Sequence, residues 1–192
     1  MGKIIAAINM TIDGYCDHTA GIIADDELHQ HYADTINNAD TLVYGRKTYQ
    51  LMENFWPEVV KNPTGDKATD AFALAIDKIP KIVFSHTLKS LNWPTATLAT
   101  KELHDEITAL KQSAAIKDVF IGSPGLIATL TAESLIDEYQ LCIHPVVEGS
   151  GLILLKNINH RIELKLLKTK IFGSGAIILY YETIKNAIKT KT

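Results

Sequence analysis

The segment from Leu42 to Met52 has the sequence L-V-Y-G-R-K-T-Y-Q-L-M. Its first part is β-branched, apolar and aromatic, which predicts a buried strand over residues 41–44 that ends at Gly45. The residues that follow favour a short helix, from about 47 to 53. A buried strand that passes directly into a helix is typical of an α/β fold.

The junction between this strand and this helix is a candidate binding site for an anion. Gly45 has no Cβ, and the first turn of a helix presents free N–H groups with positive partial charge. Arg46 and Lys47 add two cations, and Thr48 adds a hydroxyl group. These features predict a phosphate site, and the alternative is an ordinary turn with solvated basic side chains.

Two more strand ends have a similar design. The first, I-G-S-P-G from Ile121 to Gly125, follows a predicted strand over 118–122 and opens a helix over 124–130. The second, F-S-H-T from Phe84 to Thr87, follows a predicted strand over 81–85. Each could instead be a local turn, with serine or proline serving only the turn itself.

Ligands of open α/β sheets bind beyond the carboxyl ends of the strands, so the three junctions are expected to form one crevice. Together they offer glycines, cations, hydroxyl groups and an imidazole, a set that suits a dinucleotide. Arg46 with Ser85 and His86 is predicted to bind an additional ribose 2′-phosphate, which would select NADP over NAD.

The remaining pattern alternates strands and helices and then becomes strand-rich. It predicts one domain over residues 1–192, with a mainly parallel mixed sheet, helices on both faces and a C-terminal antiparallel hairpin. The further elements expected are a strand over 3–8, helices starting near Asp25 and over 71–79, a break at Trp56-Pro57 with a loop over 59–65, a short strand over 95–99, a helix from Leu103 to Ala114, strands over 139–147, 162–172 and 176–184, and a frayed tail over 185–192.

Composition excludes several classes of protein. Of 192 residues, 46% are hydrophobic and 21% charged, with a formal net charge of -3, so a disordered chain or a basic nucleic-acid binder is not favoured. The sequence has neither a polybasic segment nor an apolar run of the ~20 residues that a membrane span needs. Two cysteines, Cys16 and Cys142, do not form a disulfide framework. A cytoplasmic protein is expected.

The ordered set of motifs resembles the dihydrofolate reductase-like family, most closely the riboflavin-biosynthesis reductase C-terminal domain and its bacterial relatives. The resemblance rests on the segment 42–52 together with I-I-A-A-I-N-M-T-I-D-G-Y (4–15), K-I-V-F-S-H-T-L (81–88), V-F-I-G-S-P-G-L (119–126) and L-I-D-E-Y-Q-L-C-I-H-P-V-V-E-G-S-G (135–151). It implies the dihydrofolate reductase-like fold over nearly the whole chain.

The resemblance also implies an NADPH-dependent reductase of a pterin- or pyrimidine-like substrate, similar to dihydrofolate reductase and to 5-amino-6-(5-phosphoribosylamino)uracil reductase. A homodimer that pairs through the C-terminal part of the sheet is expected. Carried over by position, the NADP-binding residues are Ala7, Gly45, Arg46, Lys47, Thr48, Ser85, His86, Gly122, Ser123, Gly125 and Leu126.

The chain departs from the family pattern at two positions. Riboflavin-pathway reductases usually have a carboxylate just before the glycine pair, where this sequence has Ile121, and the pair itself is Gly122-Ser123. Dihydrofolate reductases carry a pterin-binding acid where an ungapped count places His29.

Few titratable residues remain as catalytic candidates. Asp13, in the loop beside the expected nicotinamide, is predicted to orient the substrate or relay a proton, and the alternative is an Asp-Gly turn. Asp25 and Asp26 are interpreted as helix caps. His18, His29 and His31 do not predict a metal site, because the last two point to different helix faces and no cysteine joins them.

The sequence leaves two other functions open. The absence of a clear catalytic acid is consistent with a non-catalytic NADP-binding protein that acts as a sensor or assembly subunit. A flavin-binding α/β protein is the weaker alternative, because the Arg46-Lys47 pair suits the phosphates of NADP better than a single flavin phosphate.

Overall fold

The computed structural model describes residues 2–17, 24–156 and 158–184. The strands are β1 (Lys3–Thr11), β2 (Thr41–Gly45), β3 (Lys81–Phe84), β4 (Ala96–Leu98), β5 (Asp118–Ile121), β6 (Glu138–His144), β7 (Leu164–Ile171) and β8 (Ile177–Thr183). The helices of these residues are α1 (Asp26–Asn37), α2 (Arg46–Glu53), α3 (Trp56–Lys61), α4 (Lys67–Lys78), α5 (Leu103–Gln112) and α6 (Pro124–Ala132).

The strands form one eight-stranded sheet in the order β4-β3-β2-β5-β1-β6-β8-β7. Neighbours from β4 through β6 are parallel, and β8 is antiparallel to both β6 and β7. The expected mainly parallel mixed sheet with a C-terminal hairpin is therefore confirmed. The parallel strands carry their carboxyl ends to one common edge, which is where the candidate site lies.

Helices cover both faces of the sheet because the central strands are apolar on both sides. One core packs β1, β2 and β5 against α5 and α6, with Ile4, Ile107 and Ile127 fully buried. The opposite core packs the same strands against α1, α2 and α4, around Tyr49 and Phe72. Near-continuous apolar runs are what a strand buried on both faces requires.

Two sequence-based expectations were wrong around Trp56. The loop over 59–65, and the break at Trp56-Pro57, are replaced in part by the helix α3. Proline in the first turn of a helix does not remove a needed hydrogen bond, because the first N–H groups have no partner within the helix. Burial of Val59, which is 7% exposed, then favours the helical turn. Trp56 packs edge-on against Phe72, with ring centroids 4.5 Å apart.

Two elements are longer than expected. α4 begins at Lys67 rather than at 71, because Asp66 accepts a hydrogen bond from the Thr69 N–H at 2.7 Å and caps the helix. β1 continues past Ile8 to Thr11, because it pairs with β6 as far as His144. The expected tail over 185–192 and His18 lie outside the described residues.

Candidate functional site

The three glycine- and serine-containing junctions lie side by side at the carboxyl edge of the sheet. In the register of the strands, Gly45 pairs with Phe84, and Ile121 pairs with both Val43 and Ala6. The residues that follow these pairs, Ser85, Gly122 and Ala7, are therefore neighbours at one edge. The convergence that sequence reasoning required is present.

A direct hydrogen bond joins two of these junctions. The Gly45 N–H donates to the Ser123 Oγ at 2.8 Å, and Ser123 is buried. A Cβ on Gly45 would lie 3.7 Å from the Leu126 Cγ, and one on Gly122 would lie only 3.1 Å from the Tyr44 Cε1. Glycine at 122 therefore keeps the tips of β2 and β5 in close contact.

The first turns of α2 and α6 are open to an anion. The N-cap of each, Gly45 and Ser123, makes no side-chain capping bond, and neither first turn contains an acid. By contrast, the N-terminus of α1 is capped by Asp25 and that of α4 by Asp66, and both helices have an acid in the first turn. The free N–H groups at this edge thus suit negatively charged oxygens.

The cationic and hydroxyl side chains of the α2 junction fit the same kind of ligand. Arg46 and Lys47 are exposed beside Gly45, and Thr48 is half-buried. The Arg46 Nη1 donates to Gln50 Oε1 at 3.0 Å, within its own helix. Gly125 is the second residue of α6, and a Cβ there would meet no atom of a neighbouring element within 4 Å. The residues present therefore fit the phosphates of a dinucleotide.

The Ser85 side chain makes its hydrogen bonds within its own loop. Its Oγ accepts hydrogen bonds from the N–H groups of Thr87 at 3.2 Å and Leu88 at 2.9 Å. This is the local turn that the sequence left open, and the Ser85 Oγ also lies 3.5 Å from the Thr87 Oγ1. His86 is exposed next to it. Their contact with a 2′-phosphate stays a prediction.

Asp13 connects two loops. Its carboxylate accepts hydrogen bonds from the Thr11 hydroxyl at 2.6 Å and from the N–H groups of Glu148 at 3.1 Å and Gly149 at 2.7 Å. These bonds lower the pKa of the carboxyl group, and the bond from the Thr11 hydroxyl has the largest effect. A carboxylate held in its charged form is a poor proton donor, so the structure favours a role for Asp13 in shaping the loop. Its catalytic role stays a prediction.

The histidine at the expected position of a pterin-binding acid is a packing residue. His29 stacks on Phe72 at 5.8 Å, meets the edge of Trp56, and its Nδ1 lies 3.2 Å from the Thr69 Oγ1. Burial is the largest effect on its pKa, which is lowered. His31, on another side of α1, has its Nε2 2.9 Å from the Tyr180 Oη.

Sequence reasoning missed a polar group at the ends of β1 and β6. The Asn9 Oδ1 lies 3.0 Å from the Tyr32 Oη and 3.1 Å from the His144 Nε2, and Cys142 Sγ is 3.6 Å from the same nitrogen. The available signal was a polar residue, Asn9, in the mainly apolar strand β1 and a histidine at the end of β6. The contact itself depends on the pairing of Asn9 with Cys142 and on where α1 packs.

In the described parts of the chain, no three potential metal ligands come together. No helix among these residues has both the length and the apolar character to cross a membrane.

Comparison with known proteins points to one family. The chain matches the family described as the RibD C-terminal domain over residues 2–178. It is 32% identical over 184 residues to YyaP, an uncharacterised protein of Bacillus subtilis (strain 168), and the match covers 93% of this chain and 94% of YyaP.

Solved structures share the fold at low identity. RibD of Acinetobacter baumannii superposes with a TM-score of 0.70 at 16% identity, over 96% of this chain and 59% of that chain. A diaminohydroxyphosphoribosylaminopyrimidine deaminase/5-amino-6-(5-phosphoribosylamino)uracil reductase of Thermotoga maritima gives 0.64 at 13% identity, over 95% of this chain and 57% of that one. At such identity the likeness concerns the fold alone.

Proposed function

The chain belongs to the RibD C-terminal domain family, and on that premise we propose that it is an NADPH-dependent reductase of a small pterin- or pyrimidine-like heterocycle. The observation that carries the proposal is the edge where Gly45, Ser85 and Gly122 meet beside two uncapped helix N-termini. Membership of this family supports a reductase, and the Thermotoga protein named for a uracil reductase supports a pyrimidine-like ring.

NADPH, when bound, would supply a hydride to the substrate. The chain would bind and orient it. The N–H groups of the first turns of α2 and α6 would donate hydrogen bonds to phosphate oxygens, and Arg46 and Lys47 would add positive charge beside them. Arg46 would contact the 2′-phosphate, because its planar guanidinium can donate two parallel hydrogen bonds to phosphate.

Two positions that carry a carboxylate in related reductases cannot bind the substrate ring in this way here. Ile121 is fully buried in the core against α5 and α6, and His29 is packed between α1 and α4. Neither position supplies the carboxylate found in riboflavin-pathway reductases or dihydrofolate reductases. We therefore propose a heterocyclic substrate held by other, uncharged groups of this site.

The test is NADPH oxidation, followed by absorbance, with a panel of pterin, pyrimidine and quinone acceptors. Turnover with a pterin or pyrimidine is expected, and turnover confined to quinones would contradict the proposed substrate class. Failure to bind NADPH at millimolar concentration would contradict the proposal as a whole.

One observation favours a second candidate function, a non-catalytic NADP-binding sensor or assembly subunit. The carboxylate of Asp13, the predicted catalytic residue, is held in its ionised form by three donors. Tight NADPH binding without oxidation of any acceptor in the panel would favour this candidate over the reductase.

We also propose that the protein acts in the cytoplasm as a homodimer. β7 is an edge strand of the sheet, and its side chains Leu166, Leu167 and Ile171 are exposed. An exposed apolar edge strand is a surface that a second chain can cover.

A further inference from the structure

Asn9 lies at the centre of a hydrogen-bonded group on β1, close to Ala7, which is one of the expected NADP-binding residues. It follows Ala7 by two residues on β1, so the two side chains share a face of the sheet, the face that α1 covers. A Cβ on Gly122 would lie 4.0 Å from the Ala7 carbonyl oxygen. Asn9 is therefore the polar side chain of β1 that follows Ala7 on the α1 side, past the end of β5.

Two donors fix the orientation of the Asn9 carboxamide. The Tyr32 Oη donates to its Oδ1 at 3.0 Å, and the His144 Nε2 lies 3.1 Å from the same oxygen. An amide oxygen only accepts, so the His144 proton resides on Nε2 in this arrangement. Tyr32 comes from α1 and His144 from β6, so the carboxamide is held from two directions.

The group is electrically neutral. His144 is 1% exposed, and burial lowers the pKa of its imidazole. Burial also raises the pKa of the Tyr32 phenol well above its usual value. Neither residue carries a charge near neutral pH, so the group offers hydrogen bonds without attracting an ion.

The other end of the carboxamide is available. With Oδ1 engaged by two donors, the Asn9 Nδ2 donates to no other residue in the described ranges, and Asn9 is half-buried rather than enclosed. Nδ2 is also not sealed off inside the protein, so solvent reaches it. An oriented amide donor with solvent access is a recognition group for an acceptor atom.

We propose that Asn9 orients the substrate: its Nδ2 donates a hydrogen bond to an uncharged acceptor of the heterocycle, a ring carbonyl oxygen or ring nitrogen, and Tyr32 and His144 are positioning residues that hold the carboxamide. The inference rests on the proposed reductase function and adds its substrate-recognition chemistry. A neutral lactam-type ring matches this group, whereas a carboxylate would meet no positive charge in it.

Binding of 6-aminouracil to the protein saturated with NADP⁺, measured by isothermal titration calorimetry, tests the inference without turnover. Asn9→Asp keeps the shape and the acceptor oxygen but replaces the amide donor with an acceptor. We expect this variant to weaken 6-aminouracil about 10-fold or more, because the ring acceptor then faces oxygen instead of N–H. NADP⁺ affinity should change less than about twofold, since the phosphates lie at other strand ends.

Tyr32→Phe provides a second, milder test if Asn9→Asp does not fold. It keeps the ring that packs in the core and removes one donor to Oδ1, so we expect about 3- to 10-fold weaker 6-aminouracil binding. Tyr139→Phe is the matched control: this buried tyrosine lies 2.9 Å from Thr131 on the opposite face, and its loss should leave 6-aminouracil binding unchanged.

The outcomes separate the inference from the function on which it rests. A wild-type protein that does not bind NADP⁺ contradicts the reductase proposal. Normal NADP⁺ binding with no 6-aminouracil binding, or with equal 6-aminouracil affinity in wild type and in Asn9→Asp or Tyr32→Phe, overturns the role of Asn9 and leaves the cofactor site standing. Selective loss in both variants, with Tyr139→Phe unaffected, supports it.

Discussion

Gly122 and Gly125 differ in what a side chain would meet. A Cβ on Gly122 would press on the Tyr44 ring at 3.1 Å, whereas a Cβ on Gly125 would meet no atom of a neighbouring element within 4 Å. Gly122 therefore serves the packing of the sheet edge, and Gly125 has no such packing reason to be glycine. At the first turn of α6, the remaining reason is room for a ligand close to the backbone.

The substitution Gly125→Ala tests this reading. Alanine is the better helix former, so thermal unfolding should be unchanged or shifted upward by the equivalent of up to about 1 kcal/mol. NADPH affinity, measured by nicotinamide fluorescence, should fall because the methyl group occupies the space of a phosphate oxygen. A variant that keeps wild-type affinity for NADPH would show that no phosphate approaches Gly125.

Arg46 carries the predicted preference for NADP. Arg46→Ala should weaken NADPH about 10-fold or more and leave NADH nearly unchanged, because only NADPH has the 2′-phosphate. Arg46 is exposed, so the variant should fold normally. Titrations of both nucleotides check the result, and Arg161→Ala, which removes an arginine paired with Glu163, is the control. Equal losses for NADPH and NADH would contradict the assignment.

At the scale of elements, the buried Lys81 links the start of β3 by hydrogen bonds to the end of α4 and to the segment before β4. The Lys81 Nζ donates to the Ile79 carbonyl at 2.8 Å, to the Thr95 hydroxyl at 2.7 Å and to the Asp77 carbonyl at 3.3 Å. It also lies 4.1 Å from the centroid of the Trp93 ring. One ammonium group thus provides hydrogen bonds for two carbonyl groups at the end of α4 and for a hydroxyl group in the segment that leads into β4.

Lys81→Met should lower the free energy of unfolding by about 2 kcal/mol, because several buried acceptors lose their donor. Urea denaturation measures the change. Lys78→Met, at an exposed position of the same helix end, is the control and should shift stability by less than about 0.5 kcal/mol. Equal effects of the two substitutions would show that the Lys81 contacts contribute nothing specific.

Lys81 also makes stability depend on pH. Burial lowers its pKa from 10.5 to about 8, so between these values the unfolded chain binds more protons at this residue than the folded chain does. The contribution of Lys81 therefore rises with pH across that window. The wild type should gain stability relative to Lys81→Met from about pH 8 to about pH 10.5. A difference that is constant with pH would contradict the lowered pKa.

The elements show where sequence patterns were sufficient. The strand-to-helix junctions at Gly45 and Gly122 were predictable because each element and its turn residues are adjacent in the chain. The helix α3 was missed because Trp56-Pro57 was interpreted as a break, and burial of Val59 decides the conformation. Recognition of Asp66 as an N-cap would have placed the predicted start of α4 one turn earlier.

The missed part of the site has a different cause. Asn9, Tyr32 and His144 lie on three elements, and only the pairing of β1 with β6 and the packing of α1 bring them together. No local pattern reports such a contact. Likewise, the hydrogen bonds that hold Asp13 depend on a loop more than a hundred residues away in sequence.

At the scale of the whole molecule, the exposed edge strand bears on assembly. Sedimentation equilibrium should give about twice the chain mass of 21.2 kDa. Ile171→Lys places a charge on β7, where Ile171 is 68% exposed, and should shift the protein to the monomer. Leu74→Lys, on the exposed side of α4, is the control. A wild type that sediments as a monomer would contradict the proposed dimer.

The central claim is that Ala7 of β1 and the carboxyl ends of β2, β3 and β5 form one nucleotide site. A crystal structure of the protein grown with NADPH tests it most directly. We expect electron density for the cofactor across Ala7, Gly45, Ser85 and Gly122, with the 2′-phosphate at Arg46 and other phosphate oxygens at the first turns of α2 and α6. Density for NADPH elsewhere on the molecule, with this edge filled only by solvent, would contradict the claim.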